Sequence, residues 1–237
     1  MNRIPRRRWL TFSLQNLLIA IAFCCIALVW WQRTGEFERR RAAHATLAQL
    51  FFCTMVSLSV FTAPGWSEPR QTLWEKKGRL PLRHLCVAAT AAILIQLVLG
   101  ATLRHSATWD QHLPLSLLLT HLAGALTVTL LLGATVLTTL HRYRDETYLT
   151  RPAQLAAALL CVQLSMGLAA YLTRLRSPSA PQPRNPMVGV TVAHVACGAL
   201  VFAATIVLAL RAFRVLRAER EAAREYAPMG AGLKSEV

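Results

Sequence analysis

The chain has 237 residues, of which 54% are hydrophobic and 16% are charged, and its formal net charge is +15. The charged residues fall between long apolar runs instead of being spread along helix faces, which excludes an ordinary soluble domain. The basic residues lie at the ends of the apolar runs, as the positive-inside rule describes, so nucleic-acid binding is not needed to explain the charge.

Several apolar stretches are long enough to cross a bilayer, which requires about 20 mostly apolar residues for about 30 Å of hydrocarbon. Lipid offers the backbone no hydrogen-bond partners, so stretches of this length must be helices. The predicted spans are 10–32, 42–63, 84–104, 114–140, 153–173 and 190–212. The sequence therefore predicts an all-α, polytopic membrane helical bundle of about six transmembrane helices, arranged as three repeated hairpins.

The topology follows from the distribution of basic residues. If the N-terminus lies in the cytoplasm, 18 of the 26 lysines and arginines are cytoplasmic. This asymmetry predicts cytoplasmic termini for an integral protein of the bacterial plasma membrane, in contact with its lipid. The first apolar run follows three arginines, as in a signal peptide, but its length and the lack of a small-residue cleavage site indicate a retained anchor. Residues 211–225 are predicted to extend the last span as a charged helix.

An internal repeat links these spans. The sequence Ile-Gln-Leu-Val-Leu-Gly at 95–100 matches Val-Gln-Leu-Ser-Met-Gly at 162–167, and the next span in each case carries a histidine, His121 or His194, followed by Gly-Ala-Leu. The repeated unit is a helical hairpin with a glutamine and a glycine on one helix and a histidine and a glycine on the other. A third, less complete copy has a glutamine in the first span and His44 at the start of the second.

The repeated histidines are the candidate ligands. His121 and His194 begin spans that run in the same direction, so their imidazoles are expected at similar depth, roughly 6–10 Å inside the outer face. A single histidine there is more often a structural hydrogen-bonding residue. Two at equivalent positions of a repeat match the two axial ligands of a haem iron. The neighbouring small residues leave room for a macrocycle, or equally for close contact between helices: Ala123, Gly124, Ala196, Cys197 and Gly198.

Other metal sites fit the residues poorly. The six predicted spans contain no Asp or Glu, and the six cysteines form no CxxC motif, so a carboxylate-bridged site, a zinc site and a structural disulfide are not expected. Copper would favour Met/His or Cys/His clusters, which do not occur at matched depth. Haem remains as the cofactor. A permease-like helical bundle whose histidines are structural is the alternative. The lack of Asp and Glu within the spans and the matched pair of histidines argue against it.

These motifs resemble the haem A synthase family. The segments that carry the resemblance are IQLVLGATLRH (95–105), THLAGAL (120–126), VQLSMGLAAYLTR (162–174) and AHVACGAL (193–200), and AHATLAQLFFCTMVSLSVFTAPGW (43–66) is similar to the last helix of that family's N-terminal half. The resemblance covers about 43–217.

The resemblance implies two halves that each hold a haem. It assigns His121 and His194 to the iron of haem b in a C-terminal four-helix half, 84–217. It assigns His44 to the substrate haem O in an incomplete N-terminal half of two spans, 1–83, and leaves 218–237 as a cytoplasmic tail. The implied reaction oxidises a ring methyl of haem O to a formyl group, giving haem A for cytochrome oxidase assembly. No catalytic residue is assigned, since the family's Glu-x-x-His hairpin has no counterpart here.

Two functions remain open at this point. The first is a haem A synthase-like oxidoreductase, shortened at its N-terminus or completed by another chain, with a haem O synthase or a second copy of this chain as partner. The second is a non-catalytic haem b-binding membrane protein that serves electron transfer or oxidase assembly. The missing Glu-x-x-His motif favours the non-catalytic haem-binding protein, whereas the substrate-side His44 favours the haem A synthase-like oxidoreductase. We expect the oxidoreductase.

Overall fold

The computed structural model describes residues 37–75, 80–106, 115–175 and 185–217. Helices account for most of this part of the chain: α1 Phe37–Thr62, α2 Leu82–Ser106, α3 Leu115–Arg142, α4 Thr147–Leu175 and α5 Asn185–Val215. Two short strands, β1 Leu73–Trp74 and β2 Leu216–Arg217, complete the described elements.

All five described helices are long and apolar enough to cross a membrane. Their spanning stretches are 21 to 31 residues long, with mean hydropathies from 1.6 to 2.3. The prediction of an all-α membrane helical bundle is therefore confirmed. Five of the six predicted spans correspond to these helices, whereas span 10–32, the predicted first helix of the third hairpin, lies outside the described residues.

Hydroxyl groups within the helices find their partners on the helix itself. Thr135 donates to the carbonyl oxygen of Leu131 at 2.7 Å, and Thr139 donates to that of Thr135 at 2.8 Å. The same bond to the carbonyl four residues earlier recurs at Thr205 and at Thr90. Because these side chains are satisfied locally, threonine is tolerated in a lipid-embedded helix.

Helices α2 to α5 form a ring. Each contacts the next along the chain, and α5 returns to contact α2, which places α3 and α5 diagonally across the ring. Helix α1 packs outside the ring, against α2 and α5. Since successive helices alternate in direction, α1, α3 and α5 run the same way.

The buried core is concentrated at one end of the ring. The largest fully buried apolar side chains of the helices are Leu82, Leu132, Leu149 and Leu208. We call this the basic end, because the C-termini of α1, α3 and α5 and several arginines lie there. At the opposite end, the histidine end, no described residue of α3 before Val128 or of α4 after Ala156 is buried.

A two-residue parallel ladder joins the segment after α1 to the end of α5. Leu73 pairs with Leu216 and Trp74 with Arg217, and the amide of Glu75 donates to the carbonyl of Arg217 at 2.9 Å. The predicted helical extension over 211–225 is therefore wrong at 216–217, where the backbone leaves the helix because its polar groups pair with β1. Residues 218–225 of that prediction lie outside the described chain.

Candidate functional site

In the first hairpin, a glutamine on α2 holds the histidine of α3. The side-chain amide nitrogen of Gln96 lies 3.1 Å from Nδ1 of His121 and 3.4 Å from Nε2, and it donates to the backbone carbonyl of His121 at 2.9 Å. One amide hydrogen can serve the carbonyl and the other the ring. The imidazole is thus oriented from the neighbouring helix.

The second hairpin repeats this pair with fewer bonds. The side-chain amide nitrogen of Gln163 on α4 lies 3.3 Å from Nε2 of His194 on α5. Nδ1 of His194 is buried and has no hydrogen-bond partner in the described part of the chain. The ring of His194 is therefore held at one nitrogen and open to a partner at the other.

Glycines make room for these pairs in a reciprocal way. A Cβ at Gly100 or Gly167 would lie 3.2 or 3.1 Å from Cε1 of the histidine on the facing helix. A Cβ at Gly124 would collide with Oε1 of Gln96, and one at Gly198 would lie 3.1 Å from the amide nitrogen of Gln163. Each hairpin therefore has its histidine over one glycine and its glutamine over the other. An added methyl group at any of these glycines would require the facing side chain to shift.

This contact resolves the two interpretations of the small residues beside the histidines. Gly124 and Gly198 face the glutamines of the adjacent helix, so they serve close contact between helices, and the space they leave is filled by protein. Ala123 and Ala196 are exposed, whereas Cys197 is buried with its thiol 3.5 Å from the carbonyl oxygen of Leu159.

His121 and His194 occupy corresponding places on the diagonal helices α3 and α5. Both side chains are partly buried. His121 lies six residues beyond the start of α3, about 9 Å along the axis, and His194 nine residues beyond the start of α5, about 14 Å along it. His194 is deeper from the helix start than predicted, since α5 begins at Asn185 and not at 190.

His44 lies apart from this pair. It is near the start of α1, its side chain is exposed, and it makes no hydrogen bond within the described residues. The structure therefore does not bring His44 into a ligand pair, and the predicted substrate role of His44 stays a prediction. The helix expected to oppose it, span 10–32, lies outside the described chain.

The donor set at the histidine end suits a haem better than a bare ion. Within the described residues, no three or more His, Cys, Asp or Glu side chains come together. A zinc or copper ion needs three or four protein ligands. Two imidazoles complete the coordination of a haem iron, because the macrocycle supplies the other four nitrogens.

Unpartnered buried atoms next to the rings support the same fit. Oε1 of Gln96 and of Gln163 are buried and have no hydrogen-bond partner in the described chain. An imidazole that binds metal through one nitrogen donates its other N–H to an acceptor. Rotation of the Gln163 amide would present its free oxygen to the ring of His194, so the second hairpin carries the acceptor that a metal-bound histidine requires. The Gln96 amide donates to the backbone carbonyl of His121, and that bond keeps its nitrogen on the side of the ring.

Comparison with protein-family models, with characterised proteins and with solved structures finds no match for this chain. The resemblance to haem A synthases therefore rests on the quoted motifs alone.

Sequence reasoning missed the glutamines as site residues. They mark the repeat in the motif, but no role followed from that. The available signal was their position: in both hairpins the glutamine precedes a glycine by four residues, so the two share a helix face. A polar residue on a glycine-lined face of a membrane helix indicates a contact with the adjacent helix.

Proposed function

We propose that the ring of α2 to α5 binds one haem b through the imidazoles of His121 and His194. The observation that supports this most strongly is the repeated Gln–His pair, set over glycines in two hairpins, with an unpartnered acceptor beside each ring. While unpartnered, each such atom costs about 1–3 kcal/mol, and a His194 imidazole bound to iron through one nitrogen would offer the oxygen of Gln163 an N–H donor.

The residues of the chain orient and protect the haem. Gln96 and Gln163 fix the planes of the two rings and decide which ring nitrogen carries the proton. The exposed leucines of α3 and α4 face lipid and keep water from the site. When bound, a haem with two histidine ligands supplies one-electron transfer.

The direct test is the pigment of the purified full-length protein. We expect one haem b per chain, released by acid extraction, and the absorption and electron paramagnetic resonance spectra of a low-spin haem with two histidine ligands. A colourless protein after expression with ample haem would refute the proposal, and so would a spectrum that survives replacement of both His121 and His194 by alanine.

A haem A synthase-like oxidation of haem O is the second candidate function. It is favoured by the motif resemblance and by the position of His44 on α1, which packs directly against the ring. We propose that His44 binds the substrate haem O, and that a haem O synthase or a second copy of this chain completes that site. Without a carboxylate and a second histidine, positioning and proton transfer are both weakened, so conversion by this chain alone should be low.

This reaction is tested by co-expression with a source of haem O, followed by chromatography of the extracted haems. Substantial haem A that disappears with His44→Ala and persists with His84→Ala would establish the enzyme. His84 is a suitable control because it is exposed at the start of α2, at the basic end. Absence of haem A, with haem b retained, would leave the binding function alone.

We further propose that the protein lies in the bacterial plasma membrane with both termini in the cytoplasm. The support is the excess of lysine and arginine at the basic end. A reporter fused after Arg217 should report the cytoplasm, and one in the loop 105–113 the exterior. The reverse result would invert the orientation of the haem site.

A further inference from the structure

A cavity of about 680 Å³ lies at the basic end of the bundle, on the opposite side from the histidines. It is bounded by the C-terminal half of α1 and the turn that follows, by the first turns of α4, and by the end of α5. Four arginines line it: Arg70, Arg151, Arg211 and Arg214. These residues are distant in sequence, so the fold brings their charges together.

Two aromatic rings hold the guanidinium groups in place. Arg70 and Arg211 stack over the ring of Tyr148 at 3.8 and 4.6 Å from its centroid, and Arg214 lies 4.5 Å from the centroid of Trp66. Arg214 also donates to the hydroxyl of Tyr148 at 2.9 Å. Arg211 donates one N–H to the backbone carbonyl of Tyr148 at 3.1 Å, and a stacked guanidinium keeps its remaining N–H groups available for a planar acceptor.

These charges lack an anionic partner in the described chain. The ion pairs formed there join Arg83 to Glu75 and Arg144 to Asp145, and neither includes a cavity arginine. Glu68 offers Arg214 its backbone carbonyl and not its carboxylate. Arg70 and Arg211 share the ring of Tyr148, and Arg151 lines the same cavity. Like charges held this close at the edge of a low-dielectric region repel one another, and a bound anion removes that cost.

The wall of the cavity opposite the arginines is apolar and reaches lipid. Phe52, Met55, Val56 and Val60 of α1 form it. Phe52 is 37% exposed and Met55 42% exposed, and on a membrane-spanning helix such exposure means contact with acyl chains. The site therefore continues from a cationic head region into the hydrocarbon layer, which matches a molecule with an anionic head and an apolar tail.

We propose that this cavity is a binding site for one anionic membrane phospholipid. Its phosphate would lie among the guanidiniums of Arg70, Arg151 and Arg211, which match phosphate oxygens with paired N–H groups. An acyl chain would lie along Phe52 and Met55. Topology signalling alone requires basic residues on one side of the membrane, but it does not require them to converge on aromatic rings around a cavity.

The test is lipid titration of the purified full-length protein, followed by native mass spectrometry. Phosphatidylglycerol should bind at one molecule per chain and more tightly than zwitterionic phosphatidylcholine. The double variant Arg70→Gln/Arg151→Gln should weaken phosphatidylglycerol binding by about 25-fold, or about five-fold for each charge removed near the membrane surface. Both arginines are exposed, so the unfolding temperature without added lipid should stay unchanged.

The matched control is Arg142→Gln/Arg144→Gln, which removes two charges from the same end outside the cavity and should change binding less than two-fold. Equal weakening by both double variants would overturn the proposal in favour of general surface attraction. Binding of inorganic phosphate as tight as that of phosphatidylglycerol would identify a free-phosphate site instead. Equal affinity for the two lipids, or no binding, would also overturn it.

Discussion

The ring α2 to α5 is filled by its own side chains at the basic end, where Leu132 and Leu208 are fully buried. At the histidine end the same helices carry the two Gln–His pairs, and three buried polar atoms there have no partner in the described chain. Burial at the basic end stabilises the fold, and the histidine end retains polar groups that a bound molecule can satisfy. The buried core and the proposed haem site therefore lie at opposite ends of the same helices.

The largest expected effect is on the haem content of variants in which histidines at one end or the other are replaced. His121→Ala/His194→Ala should abolish the low-spin spectrum completely, because both axial ligands are lost. His141→Ala should leave the spectrum unchanged, since His141 lies on the same helix α3 at the basic end and is exposed. The measurement is the absorption spectrum per chain. If the double variant retained the spectrum, the haem would not be bound by the histidines, and the assignment of the haem site to the histidine end would be wrong.

Stability should depend on the basic end. Leu132→Ala should lower the free energy of unfolding by about 2–5 kcal/mol, because it opens a cavity at a fully buried site. Leu130→Ala is the control on the same helix. It removes a side chain that faces lipid, and the expected change is within about 0.5 kcal/mol. Unfolding in mixed micelles measures both, and equal losses would show that α3 is not packed as described.

The glutamines should affect haem affinity more than stability. Gln163→Leu removes the only hydrogen bond that the ring of His194 makes within the described residues. Loss of an outer-shell partner of this kind changes metal affinity by about 10–100-fold. Gln154→Leu is the control, because Gln154 lies on the same helix α4 with an exposed side chain. Haem dissociation into a scavenger protein measures the change. An unaltered rate in Gln163→Leu would remove the assigned role.

The smallest effect concerns the glycines of α3. Gly124→Ala should destabilise the haem-free protein by about 1–3 kcal/mol, because its methyl group collides with Gln96. Gly133→Ala meets no atom within 4 Å and should be stabilising by about 0.5–1 kcal/mol. Adding Gln96→Ala should rescue Gly124→Ala but not alter Gly133→Ala. Thermal unfolding measures these changes. If Gln96→Ala did not restore the stability lost in Gly124→Ala, the reciprocal packing would be contradicted.

The helices and the repeat could be predicted from the sequence because each depends on local information. A run of about 20 apolar residues specifies a spanning helix without knowledge of its neighbours. The equivalence of His121 and His194 likewise follows from two matching motifs. The spacing of Gln96 and Gly100 indicates a contact with a neighbouring helix, but the pairing of Gln96 with His121 is defined only when α2 and α3 are placed side by side.

The arginine cavity could not be predicted from charge counts. Arg70, Arg151 and Arg211 lie in three separate segments, and the sequence shows only that all three are on the same side of the membrane. Their convergence on one cavity depends on how α1, α4 and α5 and the segment after α1 pack together. The strand at 216–217 was missed for a similar reason, since a two-residue strand has no periodicity of its own and forms only because β1 is adjacent.

The ladder between β1 and β2 has a consequence for biogenesis. Strand β1 is made before α2 to α5, and its partner β2 follows the last described helix, so the two can pair only after all four intervening helices have been inserted. Backbone pairing also requires both strands to be on the same side of the membrane, whichever side that is. The ladder can therefore form only in chains that have crossed the bilayer an even number of times between Trp74 and Leu216. Its formation would distinguish fully inserted chains from those that have failed to insert one helix.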